Sequence, residues 1–127
     1  MPYTVEIPVS VGELFDKITI LEIKKKNIRC TRRRAMVSDE LKLLFNRSVA
    51  LNPTGDLELL IEKLRVINET LWGAENLIRR FERDLRFDNS YVEVPRNIRN
   101  LNDQRAETKR QISLMMNSTI VEVKEHI

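Results

Sequence analysis

Between Leu57 and Leu85 the chain reads LELLIEKLRVINETLWGAENLIRRFERDL. Apolar residues recur through it at alternating steps of three and four: Leu57, Leu60, Leu64, Ile67, Leu71, Ala74, Ile78, Phe81 and Leu85. Residues three and four apart stack on the same side of an α-helix, so this spacing keeps one face apolar over four heptads. Leu59, Ile61 and Val66 broaden the stripe in the first half, which predicts two or more covering elements there. The second half is narrower and predicts fewer neighbours. About thirty residues at ~1.5 Å each make a rod of roughly 45 Å, longer than the ~30 Å breadth of a small domain. One end must therefore project or meet a partner.

Working outward, Asn52-Pro-Thr-Gly55 is a turn. Before it a second helix is expected over about Asp39 to Leu51, with Ser38 as its N-cap and Leu41, Leu44, Phe45 and Ser48 facing inward. Ser10-Val-Gly-Glu13 has the form of a capping box and opens a first helix with Val11, Leu14, Phe15, Ile18, Leu21 and Ile28 on its apolar face. The unpatterned segment Arg29 to Val37 predicts a break. Downstream, Asp88-Asn-Ser90 ends the long helix, and a fourth starts over Val92 to Pro95, where a first-turn proline is tolerated. Its seam runs Val94, Ile98, Leu101, Arg105, Thr108, Ile112 and Met115 before Asn117-Ser118. Tyr3 to Val9 and Thr119 to Lys124 alternate apolar and polar residues, the period of a strand. The expected fold is all-α: an antiparallel bundle of three to four helices with a long coiled-coil-like third helix and a minor two-stranded pairing of the termini. Residues 1–127 are expected to form a single helical domain.

Composition narrows the function classes. The chain is 42% apolar and 32% charged, with three glycines and four prolines, which excludes disordered and collagen-like chains. One cysteine, Cys30, excludes a disulfide scaffold and predicts a reducing, cytoplasmic setting. The N-terminus has neither a basic nor an apolar signal region, and no uncharged stretch reaches the ~20 residues of a membrane span. The net charge of +3 conceals an asymmetry: Lys24, Lys25, Lys26, Arg29, Arg32, Arg33 and Arg34 lie together with no acid among them. With those seven set aside, 15 basic residues face 19 acidic ones, so a mildly acidic body carries one basic segment. An acidic protein or a nucleic acid is the partner such a segment implies. It has no interleaved aromatics for base stacking, so nucleic-acid binding would be phosphate-driven.

Chemistry-bearing residues gather beside the packing seams. Glu13, Asp16, Lys17 and Glu22 flank the first helix, Asn68 and Glu75 the third, and Asn102, Arg105 and Lys109 the fourth. A guanidinium on a seam needs carboxylates or suffers a desolvation cost of several kcal/mol, and Glu22 and Glu75 are the expected partners of Arg105. Lys17, Glu22, Asn68, Glu75, Asn102, Arg105 and Lys109 are the candidate ligand-binding set. The same groups can instead form an ion-pair network that sets helix register. Glu13 with Asp16, and Glu122 with Glu125, have i, i+3 spacing, but the second pair falls in an expected strand and no metal site is assigned. The single histidine, His126, and the absence of a glycine-rich phosphate loop leave no catalytic motif and imply no cofactor. Gly73, inside the long helix beside Trp72, costs ~1 kcal/mol against alanine and suggests close approach by another element.

The stretch Val9-Ser-Val-Gly-Glu-Leu-Phe-Asp-Lys-Ile-Thr-Ile-Leu-Glu-Ile-Lys24 resembles the opening of a family of small helical bacterial and phage proteins known only as a domain of unknown function. Ile67-Asn-Glu-Thr-Leu-Trp72 with Glu75, Leu101-Asn-Asp-Gln-Arg105 with Lys109-Arg110, and Ile120-Val-Glu extend the likeness over nearly the whole chain. The basic segment departs from the family pattern, which has a shorter Asp-Pro-containing link there. The resemblance implies a shared helical fold and supplies no activity. Two functions stand open. One is an interaction or adaptor module, homodimeric through a helical face, whose basic segment docks an acidic partner. The other is a protein binding a small anionic ligand, or a small enzyme, with its site in the bundle.

Overall fold

A computed structural model describes residues 3–124. It contains four helices among them: α1 (Val11–Asn27), α2 (Thr31–Val49), α3 (Asp56–Arg83) and α4 (Asn89–Met115). α1 and α2 form one antiparallel hairpin, α3 and α4 a second. α1 is the tie between them, packing against all three other helices, whereas the backbone of α2 approaches α1 alone. The core forms where α1 meets the start of α3 and the end of α4. Phe15, Ile18, Leu57, Ile61, Leu64 and Ile112 are buried there, and Leu41, Leu44, Leu51, Leu60 and Met116 pack around them.

α3 is 28 residues long, about 42 Å at 1.5 Å per residue, and its seam behaves as the spacing implies. Leu57, Leu64, Ile67 and Leu71 are buried; Ala74, Ile78 and Phe81, beyond the core, are half-buried. The projecting end of the α3–α4 hairpin is closed by edge-on contacts of Tyr91 with Phe81 and Phe87. Leu85 leaves the seam: it takes φ 56°, the left-handed residue that ends the helix, and is exposed. Leu59 and Val66 are exposed as well, so of the three residues broadening the first half only Ile61 enters the core.

Other boundaries differ from expectation. α2 begins at Thr31, so Arg32 to Arg34 are helical and Ser38 lies within the helix. Arginine is a good helix former, and an exposed turn has no apolar face to show in the pattern. Phe45 is exposed, while Ser48 is buried as expected. α4 starts at Asn89, capped by Asp88, whose carboxylate accepts from the Ser90 and Tyr91 amides. Pro95 therefore sits inside the helix, not in its first turn. No strand occurs among the described residues. Segments 3–9 and 119–124 run without ladder pairing, in keeping with the marginal stability of an isolated two-stranded ribbon.

The termini are nonetheless joined, through side chains at the start of α1. Ser10 caps the helix by accepting from the Glu13 amide at 2.9 Å, and its hydroxyl donates to the Glu122 carboxylate. The Val11 amide donates to Ser118 Oγ and the Gly12 amide to Ser113 Oγ. Three amides that no α-helix can satisfy internally thus find hydroxyls, one from the last turn of α4 and one from the segment just after it. Only half of the capping box forms, because the Glu13 carboxylate turns to Lys109 instead of back to Ser10. Glu125 and His126 lie outside the described residues.

Two glycines have opposite meanings. A Cβ on Gly12 would lie 2.8 Å from the Lys109 carbonyl carbon and 2.9 Å from Glu122 Oε1, so this helix contact requires glycine. A Cβ on Gly73 would meet nothing within 4 Å; no element approaches there, contrary to the sequence expectation. Gly12→Ala is expected to destabilise the fold by more than ~2 kcal/mol, through forced separation of α1 from α4. Gly73→Ala should stabilise it by up to ~1 kcal/mol through helix propensity. Urea unfolding of both variants checks the pair, and equal effects would contradict the close approach at Gly12.

Candidate functional site

α1 is buried on two sides. Phe15 and Ile18 face the core, while Gly12, Asp16, Thr19 and Ile23 form a second buried row at steps of four, three and four. The absence of a side chain at Gly12 lets α1 come down on the α4 backbone at Lys109. One turn later Asp16 is carried against Arg105, and its carboxylate is 1% exposed.

A carboxylate this buried needs every lone pair occupied. Asp16 Oδ1 accepts from Arg105 Nε at 2.9 Å and from Asn68 Nδ2 at 2.9 Å. Its Oδ2 accepts from Arg105 Nη2, completing a bidentate pair, and Lys109 Nζ lies 3.9 Å away. Asn68 Nδ2 donates also to Thr19 Oγ1 at 2.9 Å, and that hydroxyl donates to the Asp16 carbonyl. Lys109 Nζ is held at 2.6 Å by Glu13 Oε2. Residues from three helices are thereby locked around one anion. The hydrogen bond to Asp16 is the main cause holding the Arg105 guanidinium above its ordinary pKa, outweighing the opposing effect of burial. Arg105 stays charged at every pH where the fold is of interest.

The candidate set divides. Arg105, Lys109 and Asn68 are brought together, but Arg105 pairs with Asp16, not with Glu22 or Glu75. Glu22 faces α3 lower down and accepts from Arg65 Nε at 2.9 Å, a contact that raises the Arg65 pKa. Glu75 is exposed on α3. Lys17 points to α2, with Nζ 3.4 Å from Glu40 in an exposed pair of the kind worth under ~1 kcal/mol. Sequence reasoning placed Asp16 among the polar flanking residues without seeing it as the hub. The signal was the buried-row spacing Gly12–Asp16–Thr19–Ile23, hidden because the row is mostly small or polar.

Beside the network the three helices part and leave a cleft of about 290 Å³. Asn68, Glu75, Asn102 and Arg105, four of the seven candidates, line it together with Trp72 and Arg79. The second charged feature lies elsewhere, at the far end of α1. Lys24, Lys25 and Lys26 occupy the last turn of α1, where cations are favoured by the helix dipole. Arg29 is in the link, and Arg32, Arg33 and Arg34 occupy the first turns of α2, which has neither a side-chain cap nor an acidic residue there. None of the seven is ion-paired among the described residues; Arg34 Nε donates to the Lys25 carbonyl across the corner at 3.0 Å. No helix among the described residues is long and apolar enough to cross a membrane.

The chain belongs to the family of unknown function DUF6165, whose model matches residues 4–126, almost the whole length. No curated protein and no solved structure matches it.

Proposed function

We propose that this protein is a helical interaction module that docks an acidic protein surface through the α1–α2 corner. The carrying observation is the set of seven cations on that corner with no acid paired to any of them among the described residues. Clustering cations at the start of α2 opposes the helix dipole, and the one hydrogen bond it gains across the corner, from Arg34 to the Lys25 carbonyl, brings no counter-charge. An external anion relieves that repulsion. The charge distribution favours a compact acidic surface over a duplex. The rest of the chain is acidic by four charges, so a long polyanion running past the corner meets repulsion that a local acidic patch avoids.

Self-association belongs to the same reading. On α3, Leu59 and Val66 lie one heptad apart and are exposed, and Leu59 and Leu60 share a shallow groove with Leu114 and Met115 of α4. A second copy laid along this face, in coiled-coil fashion, covers them.

Binding to a glutamate-rich peptide, followed by calorimetry, is expected to weaken at least tenfold when Arg32, Arg33 and Arg34 are all changed to Gln, with the unfolding midpoint unchanged. Tighter binding to duplex DNA than to the peptide at roughly 200 mM salt would overturn the choice of partner. Light scattering at tens of micromolar is expected to give twice the chain mass, falling to one chain mass in Leu59→Glu. A monomer in both contradicts the dimer.

A further inference from the structure

The cleft beside Asp16 contains polar atoms that the fold leaves unused. Asn68 is 4% exposed, and Nδ2 supplies both of its donated bonds, to Asp16 and Thr19. The acceptor Oδ1 therefore has no partner among the described residues, on a side chain that lines the cleft. Arg105 commits Nε and Nη2 to Asp16, and Nη1 carries no bond among the described residues. Its guanidinium cannot swing away, because a buried carboxylate holds it from behind. Arg79 and Glu75 are one helical turn apart on α3, both lining the cleft, yet they form no ion pair with each other.

Charge balance identifies the class of ligand. Asp16 neutralises Arg105, and Glu75 offsets Arg79, so the cleft is close to neutral overall while offering separated positive and negative groups. A simple anion uses half of this arrangement. A zwitterion uses all of it. Its carboxylate matches the planar guanidinium edges of Arg79 and Arg105. Its ammonium has Glu75 and the Asn68 carbonyl as acceptors. Ile20, Ile23 and Trp72 give an apolar surface for the remainder of the molecule. The volume lies at the lower edge of the ~300–1,000 Å³ usual for ligand sites, so the occupant has on the order of ten to fifteen non-hydrogen atoms.

We propose that the α1–α3–α4 cleft is a binding site for a free α-amino acid with a large apolar side chain. This inference is independent of the basic corner, which begins in the last turn of α1 and shares no residue with the cleft.

Trp72 is the single tryptophan of the chain, so its fluorescence reports the site without labelling. Titration with L-phenylalanine, which does not emit in the indole range, is expected to give a saturable change. 3-Phenylpropanoate, lacking the ammonium, and 2-phenylethylamine, lacking the carboxylate, should each bind about tenfold or more weakly, the loss of one charge-assisted contact. Arg79 is exposed and has no ion-pair or hydrogen-bond partner among the described residues, so Arg79→Gln should keep the native unfolding midpoint while weakening L-phenylalanine about tenfold. Glu75→Gln should remove the preference for L-phenylalanine over 3-phenylpropanoate. No saturable change up to about 10 mM, weaker than a ~−3 kcal/mol interaction, overturns the proposal. So does equal binding of the two carboxylates by the unaltered protein.

Discussion

One buried carboxylate organises the protein: Asp16, held by Arg105 from α4 and Asn68 from α3, with Lys109 beside it. An anion without water around it is costly, by several kcal/mol, and its attraction to a counter-ion repays that cost only in good geometry with the other lone pairs filled. The geometry here is good: the pair is bidentate, Asn68 gives Oδ1 a second donor, and Lys109 Nζ lies 3.9 Å from Oδ2. Such a network adds less net stability than its distances suggest, but it penalises any arrangement that separates its members. Slippage of α1 along α4 by one turn would leave a guanidinium, an ammonium and a carboxylate unmatched. The apolar core around Leu64 tolerates small shifts more readily, since dispersion contacts are individually weak. Hydrophobic burial drives the helices together; Asp16 selects the register in which they meet.

The register depends in turn on a residue with no side chain. Gly12 allows α1 to lie against the Lys109 backbone, and the serines at 113 and 118 then take over the free amides at the helix start. Close approach, amide capture and the Asp16 pair therefore form one construction along α1. The same construction shapes the cleft: because Arg105 and Asn68 are pinned on the Asp16 side, their remaining polar atoms are left on the other. At the opposite end of α1 the cations of the corner take no part in this network. One helix thus carries a packed polar row and a solvated basic end.

Much of this was legible in the sequence. Strong 3-4 periodicity made α3 and the seam of α4 readable, including the oddity of Arg105 on an apolar row. The Asn52–Gly55 turn and the Ser10 cap follow from local chemistry that needs no tertiary context. What could not be read has physical causes. The buried row of α1 is Gly, Asp, Thr and Ile, and apolar periodicity cannot register a row made of small and polar residues. The spacing offers Glu22 of the first helix and Glu75 of the third as partners of Arg105 and passes over Asp16, because pairing across helices depends on how α1 crosses α3 and α4, which one-dimensional spacing does not encode. The strand-like ends failed for a related reason: alternation specifies an extended chain only when a neighbouring strand or a buried face makes use of it. Segments 3–9 and 119–124 have neither among the described residues. The early start of α2 was invisible because its first turns are all exposed.

The central claim, that Asp16 and Arg105 act as one coupled unit setting the position of α1, is tested most directly by a double-mutant cycle in stability. Asp16→Asn, Arg105→Met and the double variant would be compared by chemical unfolding. Each single change leaves a buried charge or donor without its partner, whereas the double removes both. The account predicts strong non-additivity, with the double variant more stable than the sum of the single losses implies, by about 2 kcal/mol or more. Additive losses, with a coupling below ~0.5 kcal/mol, would show that the two residues act independently and would contradict it.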